Sequence, residues 1–432
     1  MIEKERETMI FYPETYGAVG DGVHYDTLAV QQALDECAKQ GGTVQLSGGK
    51  TYLCASLFLG SHTELNLAEG SVLLAGHELS DYFRPDQPAR GGNESYVGTP
   101  VLGKPSYVFL YAYDQEDVAV TGGGRVDGNS TCFVSRQDQY YVTGDFYPRP
   151  TLVYFEKCRH VSFKDATFGN APFWTIHLAG CDDCDIGSVR ILNPLDTANS
   201  DGIDVDHSRD VRIHDCHVAC ADDCICMKNN LGSREYHHTK NVVVTGCTLI
   251  STSAALKIGT EGVDDFENII FADCCISASN RGISVQIRDK GCVRNVVFER
   301  IFIETRRFAP QWWGCAEPIA ITARDRDHAV PCGSISDVRF RDIRCESENG
   351  ILIYSDDDKI SDISFENVRL KLVKTSKWPV DLYDLRPAQD EPGLLPRRTE
   401  PLFIHGAHDI RMKDVTTIDL EGRREHIDQR SF

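Results

Sequence analysis

The feature that most constrains this chain is a short strand-like unit that keeps returning. It reads HVSFKDATF from 160, DVRIHDCHV from 210, NVVVTGCTL from 241, NIIFADCCI from 268 and NVVFERIFI from 295. It continues as DVRFRDIRC from 337, DISFENVRL from 362 and DIRMKDVTT from 409. Most copies open on Asn or Asp, and apolar β-branched or aromatic residues then alternate with polar ones, as in a half-buried strand. The copies from 210 to 295 start 31, 27 and 27 residues apart. A unit this short cannot bury its own apolar face, so neighbours must stack into one continuous core. Each period has room for one or two more strands and little room for helices. This predicts an all-β parallel β-helix. The Leu pattern of leucine-rich repeats and the Trp-Asp signals of propeller blades are both missing. The wider gaps of 42 and 47 residues, after 295 and 362, are expected to hold two coils each, with loops.

The start of the chain breaks the pattern. Residues 27–40 place Val30, Ala33, Leu34, Cys37 and Ala38 at helical spacing, with Asp26 as N-cap and Gly41-Gly42 as the stop. A helix there would cap the open end of the solenoid and cover its unpaired strand edges. Nothing reads as an interdomain linker, so residues 1–432 are expected to form a single domain, with the proline-containing stretch 376–401 as a loop excursion. The 17 cysteines are odd in number, and no apolar leader follows the charged start. They read as reduced thiols in a cytoplasmic protein, with Cys158, Cys181, Cys216, Cys247 and Cys274 forming an interior ladder. None has the paired spacing and His complement of a zinc module, and no metal or organic cofactor is expected. The net charge of −20 disfavours nucleic acid and anionic membranes, and no run approaches the roughly 20 apolar residues of a membrane span. Oligomeric state is unset by these features.

The densest chemical signal lies at 193–230, where Asp201 is followed by Asp222-Asp223. The 21 residues from Asp201 to Asp222 are about one coil. The two side chains are therefore expected to stack at the inter-strand spacing of about 4.8 Å. Asp223 should point the other way unless the backbone bends. Clustered carboxylates suit glycoside hydrolysis, in which a carboxylic acid protonates the leaving oxygen while a carboxylate activates water or attacks the sugar. They also suit a calcium site, and a lone Asp pair can be a solvated turn.

At this point the chain resembles glycoside hydrolase family 28, the polygalacturonase and rhamnogalacturonan hydrolase family. The likeness rests on YGAVGDGVHYDTLAVQQALDEC at 16–37, GGGRVDGN at 122–129, FWTIHLAGC at 173–181, NSDGIDVD at 199–206 and ADDCICMK at 221–228. The last two are similar to the family's Asn-Thr-Asp motif, with Ser200 for Thr, and to its Asp-Asp motif. The resemblance implies a right-handed β-helix and an inverting hydrolase. It makes Asp222 the general acid, with Asp201 and Asp223 holding and activating water. Inversion implies carboxyl groups roughly 6.5–9.5 Å apart. Asn199 and Lys228, within the two motifs, become substrate-binding candidates.

This chain departs from the family pattern in two places. Ser253-Ala254-Ala255 stands where the family carries Gly-His-Gly, leaving His237 or His238 as distant substitutes. Ser284-Val285-Gln286 stands where it carries Arg-Ile-Lys, whose cations bind a uronate carboxylate. Arg288 and Lys257 are the nearby replacements. Losing two cations points toward a neutral or partly neutral plant oligosaccharide rather than plain polygalacturonate. Trp312, Trp313 and Glu317 sit in a long gap between repeats and can wall a sugar site, as can Tyr140, Tyr141 and Arg149. Trp174 can be core or site. Glu261 can bond hydroxyls or pair with Lys257. The rival readings are a lyase, epimerase or glycan transferase on the same scaffold, and a non-catalytic carbohydrate-binding protein.

Overall fold

The first and sixth residues of every repeat copy sit in the left-handed backbone region. Asp210 and Asp215 both have φ of 55°, Asn268 and Asp273 have 58° and 55°, and Asp362 and Asn367 have 52° and 54°. Asn and Asp reach this region at low cost because their short polar side chains bond locally. The recurring Asn or Asp therefore marks a corner of the coil. The computed structural model describes residues 9–85, 104–144, 149–388 and 391–431.

Between corners run three strand faces. One coil consists of Ile203–Asp206, Arg209–His214 and His217–Cys220. The next consists of Ile225–Asn229, Lys240–Thr245 and Thr248–Ser251, and each strand pairs in parallel with its predecessor. One face is an eleven-stranded parallel sheet running from Leu57–Phe58 to Leu402–His405, in which strands adjacent in space follow one another along the chain. The molecule is a right-handed parallel β-helix.

Stacking identical positions builds the core. Phe271, Phe298, Phe340 and Phe365 are each the fourth residue of a repeat copy. They lie face to face with centroids 4.8, 5.0 and 4.8 Å apart, and such pairs are worth about 0.5–1.5 kcal/mol each beyond burial. Cys158, Cys181, Cys216, Cys247 and Cys274 are all buried, and the chain's 17 cysteines are all free thiols. Helix α1, Thr27–Gln40, closes the N-terminal end with Ala29, Val30, Ala33, Leu34 and Cys37 buried. Asp26 precedes it without capping through its side chain, whose oxygens instead accept from the amides of Val19 and Gly20. At the other end the long strand Ala407–Ile418 folds back antiparallel onto Arg424–Ser431. No helix among the described residues is long and apolar enough to cross a membrane.

The wide gaps do not hold two coils each. Val293–Glu299 pairs directly with Val338–Arg341, and Ile360–Glu366 pairs directly with Ala407–Ile418. Each gap is one coil carrying an insertion. The first insertion runs from Thr305 to the strand Ile319–Ala323. The second runs from Leu372 to Leu402 and carries its own small hairpin, Leu382–Asp384 against Leu394–Pro396. Both leave the helix on the side of the eleven-stranded sheet.

Candidate active site

Outward-facing positions of that sheet form rows from coil to coil. One row reads Tyr154, His177, Asp204, Cys226, Lys257, Ser284. A second places Asp206 beside Lys228. The strand Ile203–Asp206 alternates, with Ile203 and Val205 turned into the core and Asp204 and Asp206 turned out, yet all four are buried. The polar face of this strand is therefore roofed, and its charges must answer one another.

Asp201, Asp222 and Asp223 arrive from the segments just before two of these strands. The ladder pairs Ile203 with Ile225, a step of 22 residues, so the coil equivalent of Asp201 is Asp223 and not Asp222. The expected stacking of Asp201 on Asp222 is thus off by one. The chain bends at 221–224, which brings Asp222 in beside the other two. One carboxylate oxygen from each of the three lies within 4.8 Å of the others. That is closer than the roughly 6.5–9.5 Å expected between the carboxyl groups of an inverting pair.

Each carboxylate has a different setting. Asp223 Oδ2 accepts from Lys257 Nζ at 2.7 Å and Oδ1 accepts from Ser253 Oγ at 3.3 Å, with Lys228 Nζ 3.8 Å away. Asp222 Oδ2 accepts from Asn199 Nδ2 at 3.4 Å, and Asn199 Oδ1 in turn accepts from Arg149 Nη2 at 2.6 Å. Asp201 Oδ1 has no partner among the described residues. Burial raises the Asp201 carboxyl well above the usual range, and the charges of Asp222 and Asp204 add to this. Burial and Asp223 likewise raise Asp222, against the pull of Lys257, Arg386 and Lys228. Asp201 and Asp222 therefore retain protons where free aspartates would have lost them.

The cations are fixed as firmly. Lys228 Nζ lies 3.1 Å from Glu261, 3.8 Å from Asp204 and 4.8 Å from the centre of the Trp174 ring. Burial works against its charge, but Cys226, Glu261, Asp204 and Asp201 around it hold its proton well above the usual lysine value. Burial also opposes the charge of Glu261, yet Lys228, Arg326 and Lys257 hold it below the usual carboxylate range. Beneath Trp174, Asp206 accepts from His177, His207, Asn230 and Ser233, and these bonds keep it ionised despite burial.

The pocket above is lined by Trp174, the three aspartates, Lys228, Lys257, Thr260, Glu261, Trp313, Arg326 and Arg386. It gathers most of the sequence candidates and excludes others. Glu261 pairs with Lys228 and Arg326, not with Lys257. Trp312 is only 4% exposed and packs with Ala198, Ala221 and Ala309, its indole donating to the carbonyl of Tyr140, so it is not a sugar platform. Tyr140 and Tyr141 pack against Trp378 and Trp312 in the same cluster. Glu317 is fully buried and pairs with Arg281. Arg288 lies just outside the lining and donates to the carbonyl of Pro387. Asn199 and Arg149 are not in the lining; Arg149 donates to Asn199, which donates to Asp222. His237 and His238 pair with Asp182 and Glu267 and do not line the pocket.

Four residues went unforeseen. Asp204 and Asp206 were legible as the alternating acids of IDVD. Arg326 follows the strand next to the one that ends before Arg288, and it grips Asp289 through Nε and Nη2 at 2.9 and 3.1 Å. Arg386 lies in the second insertion, with no periodicity to mark it. Together with Lys228 and Lys257, these arginines put four cations in the pocket lining. The argument for a neutral substrate from lost cations therefore does not hold for the assembled pocket.

Comparison with known proteins agrees with this architecture. The sequence profile of glycosyl hydrolases family 28 matches residues 103–381. A probable polygalacturonase of Vitis vinifera is 28% identical over 68% of this chain and 60% of its own length. An endo-polygalacturonase of Pectobacterium carotovorum subsp. carotovorum is 23% identical over 82% of this chain and 86% of its own. The chain spans about 60% of the first curated relatives it matches. Among solved structures, an exopolygalacturonase from Thermotoga maritima superposes with a TM-score of 0.72 at 17% identity, covering 99% of this chain and 97% of its own. Profile, relatives and fold converge with the Asn-x-Asp and Asp-Asp segments now seen around one pocket, and this chain belongs to glycosyl hydrolases family 28.

Proposed function

We propose that this protein hydrolyses glycosidic bonds in an acidic pectic oligosaccharide, with a uronate at or beside the cleavage point. The observation that carries the reading is the raised pair Asp201 and Asp222, set against the ion-paired Asp223, in a pocket walled by cations. Asp222 gives its proton to the glycosidic oxygen as the bond to the anomeric carbon breaks, so the leaving sugar departs as an alcohol. Water held between Asp201 and Asp223 attacks the anomeric carbon and loses its proton to Asp223. Asp223 is tied by Lys257 and Ser253, which suits a group that orients water better than one that must move to bond carbon. The tether on Asp223 favours a single displacement with inversion, although the carboxyl spacing is shorter than that of an inverting pair.

A lyase would need a neutral Lys or Arg to take a proton beside the uronate carboxyl. Lys228 is held charged, Lys257 is ion-paired to Asp223, and Arg288 lies outside the pocket lining and donates to the Pro387 carbonyl, so none of these is poised for this. The same two ammonium groups supply the positive charge that a calcium ion would bring to the aspartates. The free thiols support a reducing compartment, where oligosaccharides rather than polymer are the substrate.

The test is incubation with purified trigalacturonate and with neutral oligosaccharides, followed by chromatography and proton NMR of the first product. The reading expects hydrolysis of the acidic substrate with an inverted anomer, no unsaturated product, and no effect of chelator. A retained anomer would remove the single displacement. Cleavage of the neutral glycans alone would remove the acidic substrate.

A further inference from the structure

Two buried arginines, Arg386 in the pocket lining and Arg288 outside it, form no ion pair with a carboxylate among the described residues. Arg386 is 7% exposed, its Nε lacks a hydrogen-bond partner, and no carboxylate among the described residues pairs with it. Arg288 is 5% exposed, and its Nε is likewise unpartnered. By contrast Arg326, between the same elements, is fully engaged by Asp289 and Glu261. Burial, Arg326 and Arg386 together push Arg288 down to about 9, which reports the crowding of positive charge. Uncompensated cations held together out of water are unfavourable unless an anion joins them.

The second insertion is built to hold Arg386 there. Its backbone takes the left-handed conformation at φ 67°, and its amide donates to Asp384 Oδ1 at 2.8 Å. Asp384 is itself pinned, since its Oδ2 accepts from the Gly314 amide at 2.7 Å and its carbonyl accepts from Arg281 at 3.0 Å. The guanidinium lies 3.6 Å over the Trp313 ring. That ring therefore carries the arginine on one face instead of offering it to a sugar. A strained backbone, two anchors and a stacking platform fix at the pocket wall a guanidinium that no carboxylate among the described residues pairs with.

We propose that Arg386, seated on Trp313 and backed by Arg288, receives the substrate's uronate carboxylate next to the scissile bond and so determines preference for the acidic sugar. This rests on the acidic-substrate reading above. It means that the carboxylate site is rebuilt from an insertion, replacing the strand positions Ser284 and Gln286 that carry no charge here.

The experiment compares wild type, Arg386→Gln and Arg386→Lys on trigalacturonate and on its fully methyl-esterified form. Melting curves check that each variant is folded. Arg386→Gln should lose about 10- to 100-fold in kcat/KM on the free acid, mostly in KM, and little on the ester. Arg386→Lys should recover part of the loss as a point charge. If wild type cleaves the free acid and Arg386→Gln does so equally well, this assignment is overturned while the acidic substrate stands. If wild type cleaves only the ester, both fall. If neither is cleaved, equilibrium binding of trigalacturonate decides, since loss in Arg386→Gln supports the site and equal binding overturns it.

Discussion

The floor of the pocket and its far wall are made by different means. The floor is strand-built: Asp204, Lys228 and Lys257 stand at defined positions of a parallel ladder, and the three aspartates hang from the ends of two of its strands. The wall is insertion-built: Trp313 and Arg386 come from two segments that leave the helix and are tied down by side chains. Glu348 does much of the tying, accepting from the amides of Arg307, Thr375 and Ser376 and from the hydroxyls of Thr375 and Ser376. It thus joins both insertions to one buried carboxylate. A ladder fixes groups to fractions of an ångström, as bond-making chemistry requires. Insertions change without disturbing the ladder, as recognition allows. Under the proposed function, chemistry falls to the floor and choice of sugar to the wall.

Substitutions on the two sides should separate accordingly. The largest effect belongs to Asp222→Asn, which should lower kcat by about 10^3-fold, read in a reducing-end assay. Lys257→Met should cost about 10^2-fold in kcat, because it leaves Asp223 without its close cation. Lys257 also pulls Asp222 down, so its removal should move the basic limb of the kcat profile to higher pH.

On the wall side, Glu348→Gln should raise KM about tenfold with kcat nearly kept, and cost about 2 kcal/mol of stability in urea melts. The hydrogen bonds from Arg307 and Ser376 outweigh burial and lower Glu348 to about 2. Its stabilisation is therefore present above the unfolded value near 4.5 and fades as pH falls toward 2. The difference between variant and wild type should shrink over that range. The smallest effect is a gain. The folded state holds the Asp201 proton more tightly than the unfolded chain does, so Asp201 favours folding only at low pH and costs stability once pH rises. Asp201→Asn should thus be about 1 kcal/mol more stable at pH 7, with the gain vanishing below about pH 4, while activity is lost.

The same division explains what could be read from the chain. The corners were visible because a left-handed residue is needed at fixed intervals, and Asn or Asp meets that need at 210, 268 and 362. The aspartate cluster was visible because coil length brings it together. Its pairing was misjudged by one residue because the coil step here is 22, and only the bend at 221–224 recovers Asp222. In the insertions no period exists. Trp312 and Trp313 are neighbours in sequence, yet one packs under Tyr141 and the other faces the pocket. Glu317 and Arg386 both lie in irregular segments, and only tertiary contacts decide that the first is sealed against Arg281 while the second pairs with no carboxylate among the described residues. The loop excursion at 376–401 was legible and falls within the second insertion, but nothing in its sequence marked Arg386 as a pocket residue.

The most direct measurement is calorimetric titration of trigalacturonate into Asp222→Asn. If the floor performs chemistry and the wall performs recognition, the variant binds the oligosaccharide as tightly as wild type does while turning none of it over. Loss of binding together with turnover, or turnover at the wild-type rate, would contradict that division.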